Sequence, residues 1–152
     1  MDHSWLNAGG NSGIQYRSKM DANDKHAMVG YQADIENGAR WTGQNYEERG
    51  RKFLAKRGQS VVLENGKKPK VVEQIGDPEE LNSKVFFDDR WNEYHLVVKG
   101  NRMIHYVNGV RMSEVLDNDK EHRAMKGLLG VQVHTGPPMK VAFREIRLKV
   151  LD

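Results

Sequence analysis

Cysteine is absent from the 152-residue sequence, which excludes disulfides, thiolate metal sites and cysteine nucleophiles. Proline is scarce, with 4 residues against 15 glycines, and nothing in the composition suggests a collagen-like or disordered chain. No run approaches the ~18 consecutive apolar residues that cross a bilayer. The start, Met1-Asp2-His3-Ser4-Trp5, lacks a basic segment followed by an apolar one, so neither a membrane span nor an export signal is read here. The length suits one domain over residues 1–152. A surplus of charge is also missing: 24 Lys+Arg against 21 Asp+Glu leave a formal +3, too little to make nucleic acid the expected partner. The basic residues Arg49, Arg51, Lys52, Lys56, Arg57, Lys67, Lys68 and Lys70 nevertheless face only Glu64 in their stretch. A solvated hairpin whose lysines discourage edge pairing accounts for them; attraction of an anion is the other reading.

What the sequence does contain is β-structure. Short β-branched and aromatic runs recur between Asn37-Gly38, Asn65-Gly66, Gly100-Asn101 and Asn108-Gly109, pairs whose tolerance of positive φ suits tight hairpins. Val29 to Glu36 alternates Val, Tyr, Ala and Ile with Gly, Gln, Asp and Glu, the mark of a half-buried strand with Gln32 and Asp34 on its polar face. Leu129 to His134 alternates in the same way and offers Gly130, Gln132 and His134 as a second polar face. Trp91–Lys99 pairs naturally with Met103–Val107, and Val141–Leu148 slips by one residue, as a bulge requires. Helix is minor: Asp77 caps a short turn opened by Pro78, and Asp119–Met125 reads as another. The pattern predicts an all-β sandwich of two antiparallel sheets, with one outer face curved into a groove.

Familiar catalytic signatures are missing too. The histidines at 3, 26, 95, 105, 122 and 134 have no i, i+4 pair and no His-Glu-x-x-His, and Gly9-Gly10-Asn11-Ser12-Gly13 lacks both a Walker lysine and a serine elbow. What remains is a set of groups able to share one face: Arg17, Gln32, Asp34, Gln132 and His134 on strands, with Trp41, Tyr46, Glu47 and Glu48 in the loop after Asn37-Gly38. Carboxylates, an imidazole, amides and aromatic rings are what a sugar site uses for proton transfer, hydroxyl recognition and stacking. Each is also an ordinary strand or surface residue taken alone.

Several blocks then recur in order: Gly10-Asn11-Ser12-Gly13-Ile14-x-Tyr16-Arg17-Ser18, Gly30-Tyr31-Gln32-x-Asp34-Ile35, Thr42-Gly43-x-x-Tyr46-Glu47, Trp91-Asn92, Lys99-Gly100-Asn101-Arg102, Gly130-x-Gln132-x-His134 and Phe143-Arg144-x-Ile146-Arg147-Leu148. Over nearly the whole chain they resemble the 3-keto-disaccharide hydrolase family, also described as 3-keto-glucoside lyases and hydratases. The resemblance implies a concanavalin A-like jelly roll, a 3-keto-glycoside as substrate and a periplasmic or extracellular location. Members usually carry more strands before the first block, so the domain reads as N-terminally shortened, with a neighbouring subunit of a homo-oligomer as one means of covering the exposed sheet edge.

The same resemblance implies a reaction. A ketone at sugar carbon 3 acidifies the hydrogen on carbon 2, so a base can start an elimination that expels the group on carbon 1, and hydration completes a net hydrolysis. On this reading His134 is base or metal ligand, Asp34 and Glu47 are ligand or acid, and Arg17, Gln32, Trp41, Tyr46 and Gln132 contact substrate. A divalent metal of unspecified identity, held by His134 and Asp34, would polarise the ketone. A carbohydrate-binding module without catalysis is the alternative, since fold does not fix function; a structural interaction domain using the basic hairpin is a third.

Overall fold

A computed structural model describes residues 2–6 and 9–151. The strands are β1 (Asp2–Leu6), β2 (Asn11–Met20), β3 (Met28–Glu36), β4 (Asn45–Glu48), β5 (Lys52–Ala55), β6 (Gln59–Leu63), β7 (Lys70–Gln74), β8 (Asn92–Lys99), β9 (Arg102–Val107), β10 (Val110–Asp117), β11 (Leu128–Val133) and β12 (Val141–Arg144). One short helix, α1 (Pro78–Asn82), lies between β7 and β8. The strands form two sheets, ordered β12-β1-β8-β9-β10-β6-β7 and β11-β2-β3-β4-β5. All pairings are antiparallel except β10 with β6, so the larger sheet is mixed. The result is a β-sandwich consistent with a jelly roll.

Local sequence explains the joints. Asn108 and Gly109 both take positive φ, at 51° and 76°, which joins β9 to β10 in the hairpin expected from that pair. The Asp77 carboxylate accepts from the amides of Glu79 and Glu80 at 3.0 Å and starts α1 with Pro78 in its first turn. Two expectations need correcting. Asp119–Met125 is a turn rather than a helix, because the Asp119 carboxylate takes the Glu121 and His122 amides in a local loop. The last strand stops at Arg144, where Glu145 turns to φ 55°, instead of continuing through a bulge to Leu148.

The facing sides of the sheets make the core. Ile14, Tyr16, Tyr31, Ala33 and Ile35 from the smaller sheet lie in clusters with Tyr94, Met103, Val107, Met112 and Val115 from the larger one. A cavity of about 610 Å³ also lies between the sheets, where Ile14, Leu129 and Val131 of the smaller sheet face Leu96 and Val98 of the larger one, with Leu148 also in its lining.

One buried polar chain crosses this core. Asn45 donates to the Tyr16 hydroxyl at 3.0 Å, which donates to His105 Nε2 at 2.8 Å. The other ring nitrogen then donates to the Gln44 carbonyl at 3.2 Å. Burial holds the His105 pKa down at about 4, so the ring stays neutral in the fold. The unfolded chain binds a proton near the ordinary 6.5 and the folded chain does not, so stability falls as pH drops from 6.5 to about 4. The loss should reach about 3 kcal/mol, read as a lower urea midpoint at pH 4.5 than at pH 7 that flattens in His105→Gln.

Candidate active site

The outer face of the smaller sheet gathers polar groups from four strands. Its registers place Gly130, Gln15, Gln32, Tyr46 and Phe53 opposite one another across five strands, and in the adjacent row Gln132, Gly13 and Asp34. Directly opposed residues share a face, so Asp34 lies within a ring of amides and a phenol.

Gln32 Nε2 donates to Asp34 Oδ1 at 2.8 Å, and Gln44 Nε2 donates to Asp34 Oδ2 at 3.2 Å. Gln32 also approaches Gln132 Oε1 at 3.5 Å, while Gln132 Nε2 donates to Glu48 Oε2 at 3.3 Å. The Oε1 of Gln32 is buried without a hydrogen-bond partner, a costly condition for a polar atom. Gly13 makes this packing possible: a Cβ there would sit 2.6 Å from Gln32 Cγ and Cδ.

Asp34 is only 7% exposed. Burial raises its pKa from the ordinary 3.8 to about 7, against the lowering effect of the Gln32 and Gln44 amides and with Glu48 and Glu36 adding to the rise. A carboxyl poised near neutrality is suited to moving a proton. Tyr46, beside it, keeps its proton more firmly than a free phenol because of burial, then Glu48 and Asp34. Gly13→Ala should push Gln32 off Asp34, remove one lowering hydrogen bond and move the midpoint of any Asp34-dependent pH profile upward from 7.

Rings occupy the other side of Asp34. Tyr46 and Phe53 meet edge to face with centroids 5.0 Å apart, and Phe53 and Trp41 are 5.7 Å apart. The loop carrying Trp41 is rigidly built. Glu36 accepts the backbone amides of Arg40 and Trp41 at 3.0 Å, and the buried Arg57 guanidinium donates to the carbonyls of Ala39, Thr42 and Pro78.

The sequence profile of the 3-keto-alpha-glucoside-1,2-lyase-like domain matches residues 1–149. The chain belongs to this family. Membership gives the lyase-like domain a carbohydrate-related function. No curated protein matches the sequence.

Gln32, Asp34, Gln132, Tyr46 and Trp41 of the lyase-like domain thus share one region, although Gln32 and Asp34 are packed beneath other side chains rather than open in a hollow. Three expected members lie elsewhere. The sequence pattern suggests a loop around Glu47, but Asn45–Glu48 is a strand, whose alternation turns Tyr46 and Glu48 outward and Glu47 inward. There Glu47 accepts from Arg51 at 2.8 Å through both carboxylate oxygens. Arg17 sits at a bulge with φ 48°; its guanidinium donates to the Gly100 carbonyl at 2.6 Å and ties the two sheets together.

His134 follows the end of β11 and is exposed, with Nδ1 at 2.6 Å from the Thr135 carbonyl oxygen. The register sets it two residues beyond Gln132 and two strands from β3, a separation of about 12 Å from Asp34 between Cα atoms on ordinary sheet spacings. With both Asp34 oxygens already accepting amide protons, His134 and Asp34 do not fit a shared metal ion in this arrangement. Elsewhere, Asp119, Glu121 and His122 bring ligand atoms within 4.8 Å of one another, but Asp119 Oδ2 is already occupied by His122 at 2.8 Å and Arg51 at 3.4 Å.

Gln44, Glu48 and Phe53 complete the site. Glu48 was legible as a polar neighbour; Gln44 and Phe53 depend on the β3–β4–β5 register, which no local motif marks.

Proposed function

We propose that this domain cleaves 3-keto-glycosides by 1,2-elimination with Asp34 as the base. The observation that carries the reading is a nearly buried carboxyl, titrating near 7, under two glutamine amides on a face flanked by aromatic rings. The Asp34 carboxylate takes the proton from sugar carbon 2, and the C–H electron pair moves onto the ketone oxygen as an enolate. As the carbonyl re-forms, the bond from carbon 1 to oxygen breaks and a carbon 1–carbon 2 double bond remains. The leaving group departs as an oxyanion and takes a proton from water, and the hydroxide so formed takes the proton from Asp34, which returns to the carboxylate. Water then adds across the double bond, so net hydrolysis consumes one water.

Gln132 gives up Glu48 to donate its amide to the ketone oxygen, where negative charge develops. Tyr46, which keeps its phenol proton, donates to the glycosidic oxygen. A second copy covers the open edge of β11, the outermost strand of its sheet, since an unpaired strand edge invites association; light scattering that finds only monomer over the working concentration range rejects this part.

The test incubates the protein with a 3-keto-glucoside and its unoxidised parent. Cleavage of the ketone alone supports the enzyme, and binding of both without cleavage supports a carbohydrate-binding module instead. A parallel incubation with a chelator tests for the divalent metal implied by family resemblance. His134→Ala is the positional control: retained turnover there, with loss in Asp34→Asn, sets the base at Asp34.

A further inference from the structure

Asp34 stands between two chemically unlike halves of the sheet face. Toward β2 and β11 lie the amides of Gln15 and Gln132, with Gln32 beside Asp34 on its own strand. Toward β4 and β5 lie Tyr46 and Phe53 in one register row, with Trp41 against Phe53. Phe53 is 40% exposed, and its ring contacts are with Tyr46 and Trp41. The cluster presents apolar ring area at Phe53, while the Arg40 guanidinium, paired with Glu36 at 3.0 Å, lies over the Trp41 ring at 5.3 Å from its centroid.

The chemistry of the elimination assigns these halves. The carbon that loses its proton lies between the ketone carbon and the carbon bearing the leaving group, so with Asp34 beneath carbon 2 the two must point to opposite sides. A ketone and ring hydroxyls require hydrogen-bonding groups, which the glutamine half supplies. The leaving group therefore falls on the rings. We propose that Trp41, Phe53 and Tyr46 form the leaving-group subsite and select glycosides with a flat, phenol-like aglycone over those with a second sugar. This inference rests on the reading of Asp34 as the base.

The leaving chemistry agrees with the surroundings. A phenol has a pKa of about 10, so it departs as a phenolate with the bonding electron pair and then takes a proton from water. It needs only the hydrogen bond that the Tyr46 hydroxyl provides. Aromatic pairs add about 0.5–1.5 kcal/mol beyond area burial, which corresponds to a roughly two- to tenfold preference in affinity.

Binding and turnover test this separately. Phenyl glucoside and methyl glucoside, both unoxidised, are titrated into the native chain with affinities read by calorimetry. Phenyl glucoside should bind about tenfold more tightly, and the preference should shrink to within about twofold in Phe53→Ala. Phe53→Leu, which keeps apolar bulk, guards against a folding defect, with thermal melting checked for both variants. In turnover, Phe53→Ala should raise KM for a 3-keto phenyl glucoside several-fold more than KM for a 3-keto disaccharide, whose leaving sugar offers the ring no aromatic face. Equal affinities for phenyl and methyl glucoside, or equal losses with both ketone substrates, overturn the subsite. Undiminished turnover by Asp34→Asn instead overturns the base, so the two failures are distinct.

Discussion

Asp34→Asn should lower kcat/KM for a 3-keto-glycoside by roughly 10²- to 10⁴-fold, the range lost with a positioned general base. The amide keeps the shape of the carboxyl but cannot take a proton from carbon 2. In the native chain kcat/KM should rise tenfold per pH unit below about 7 and level off above it, because the base acts only when ionised. The variant's residual activity should lack that midpoint. An unchanged profile in Asp34→Asn assigns the titration to another group.

The same substitution should stabilise the fold, and the sign follows from linkage. Folded Asp34 holds its proton up to about pH 7, whereas in the unfolded chain it releases it near 3.8. Between these values the folded state binds more protons, so stability falls as pH rises through the window and the deficit is complete above 7. A rise of this size corresponds to about 4 kcal/mol, from which roughly 1 kcal/mol is subtracted because asparagine cannot accept from both Gln32 and Gln44. Asp34→Asn should therefore melt several degrees higher than the native chain at pH 8 and show little gain at pH 4. A site that sacrifices stability for a poised carboxyl is a common consequence of function; equal melting temperatures at pH 8 contradict the burial argument.

The legible parts of this molecule were those with a local cause. The Asn108-Gly109 turn, the Asp77 cap and the alternation along Val29–Glu36 and Leu129–Val133 follow from the conformational needs of a few adjacent residues. That alternation also brought Gln32, Asp34 and Gln132 to one face. The failures were tertiary in origin. Asn45–Glu48 is only four residues long, too short for its period to stand out, so reading it as a loop hid the opposite orientations of Glu47 and Glu48. Arg17 departs from the β2 alternation because a bulge with positive φ redirects it. The solvated-hairpin reading of the basic run holds for Lys67, Lys68 and Lys70, exposed where β6 turns into the edge strand β7, but not for its arginines: Arg49 pairs with Asp21 and Asp24, Arg51 enters a carboxylate network, and Arg57 is buried on three carbonyls. Each outcome depends on residues distant in sequence.

That carboxylate network should produce the largest stability loss. Asp117 is fully buried and accepts four hydrogen bonds: from the Tyr31 hydroxyl at 2.6 Å, from Arg51 at 2.7 and 3.1 Å, and from the Asp119 amide at 3.1 Å. Arg51 also reaches Glu47 on β4, so one guanidinium fastens both sheets. Asp117→Ala strands the Tyr31 hydroxyl and half of the Arg51 charge, and breaking a buried pair by removing one partner costs about 3–5 kcal/mol. For a chain of this length that is a fall on the order of 10 °C in Tm. Asp117→Asn should fall less, because its carbonyl still accepts from Tyr31 or Arg51. Adding Arg51→Met to Asp117→Ala should cost less than the sum of the single effects by at least about 1 kcal/mol, since contacting charged partners are coupled. Glu47→Gln should lower Tm in the same way while leaving kcat/KM within a few-fold, as befits an inward-facing carboxylate held by Arg51. Strict additivity in the cycle would contradict the Asp117–Arg51 coupling, and loss of turnover in a folded Glu47→Gln would return Glu47 to the catalytic face.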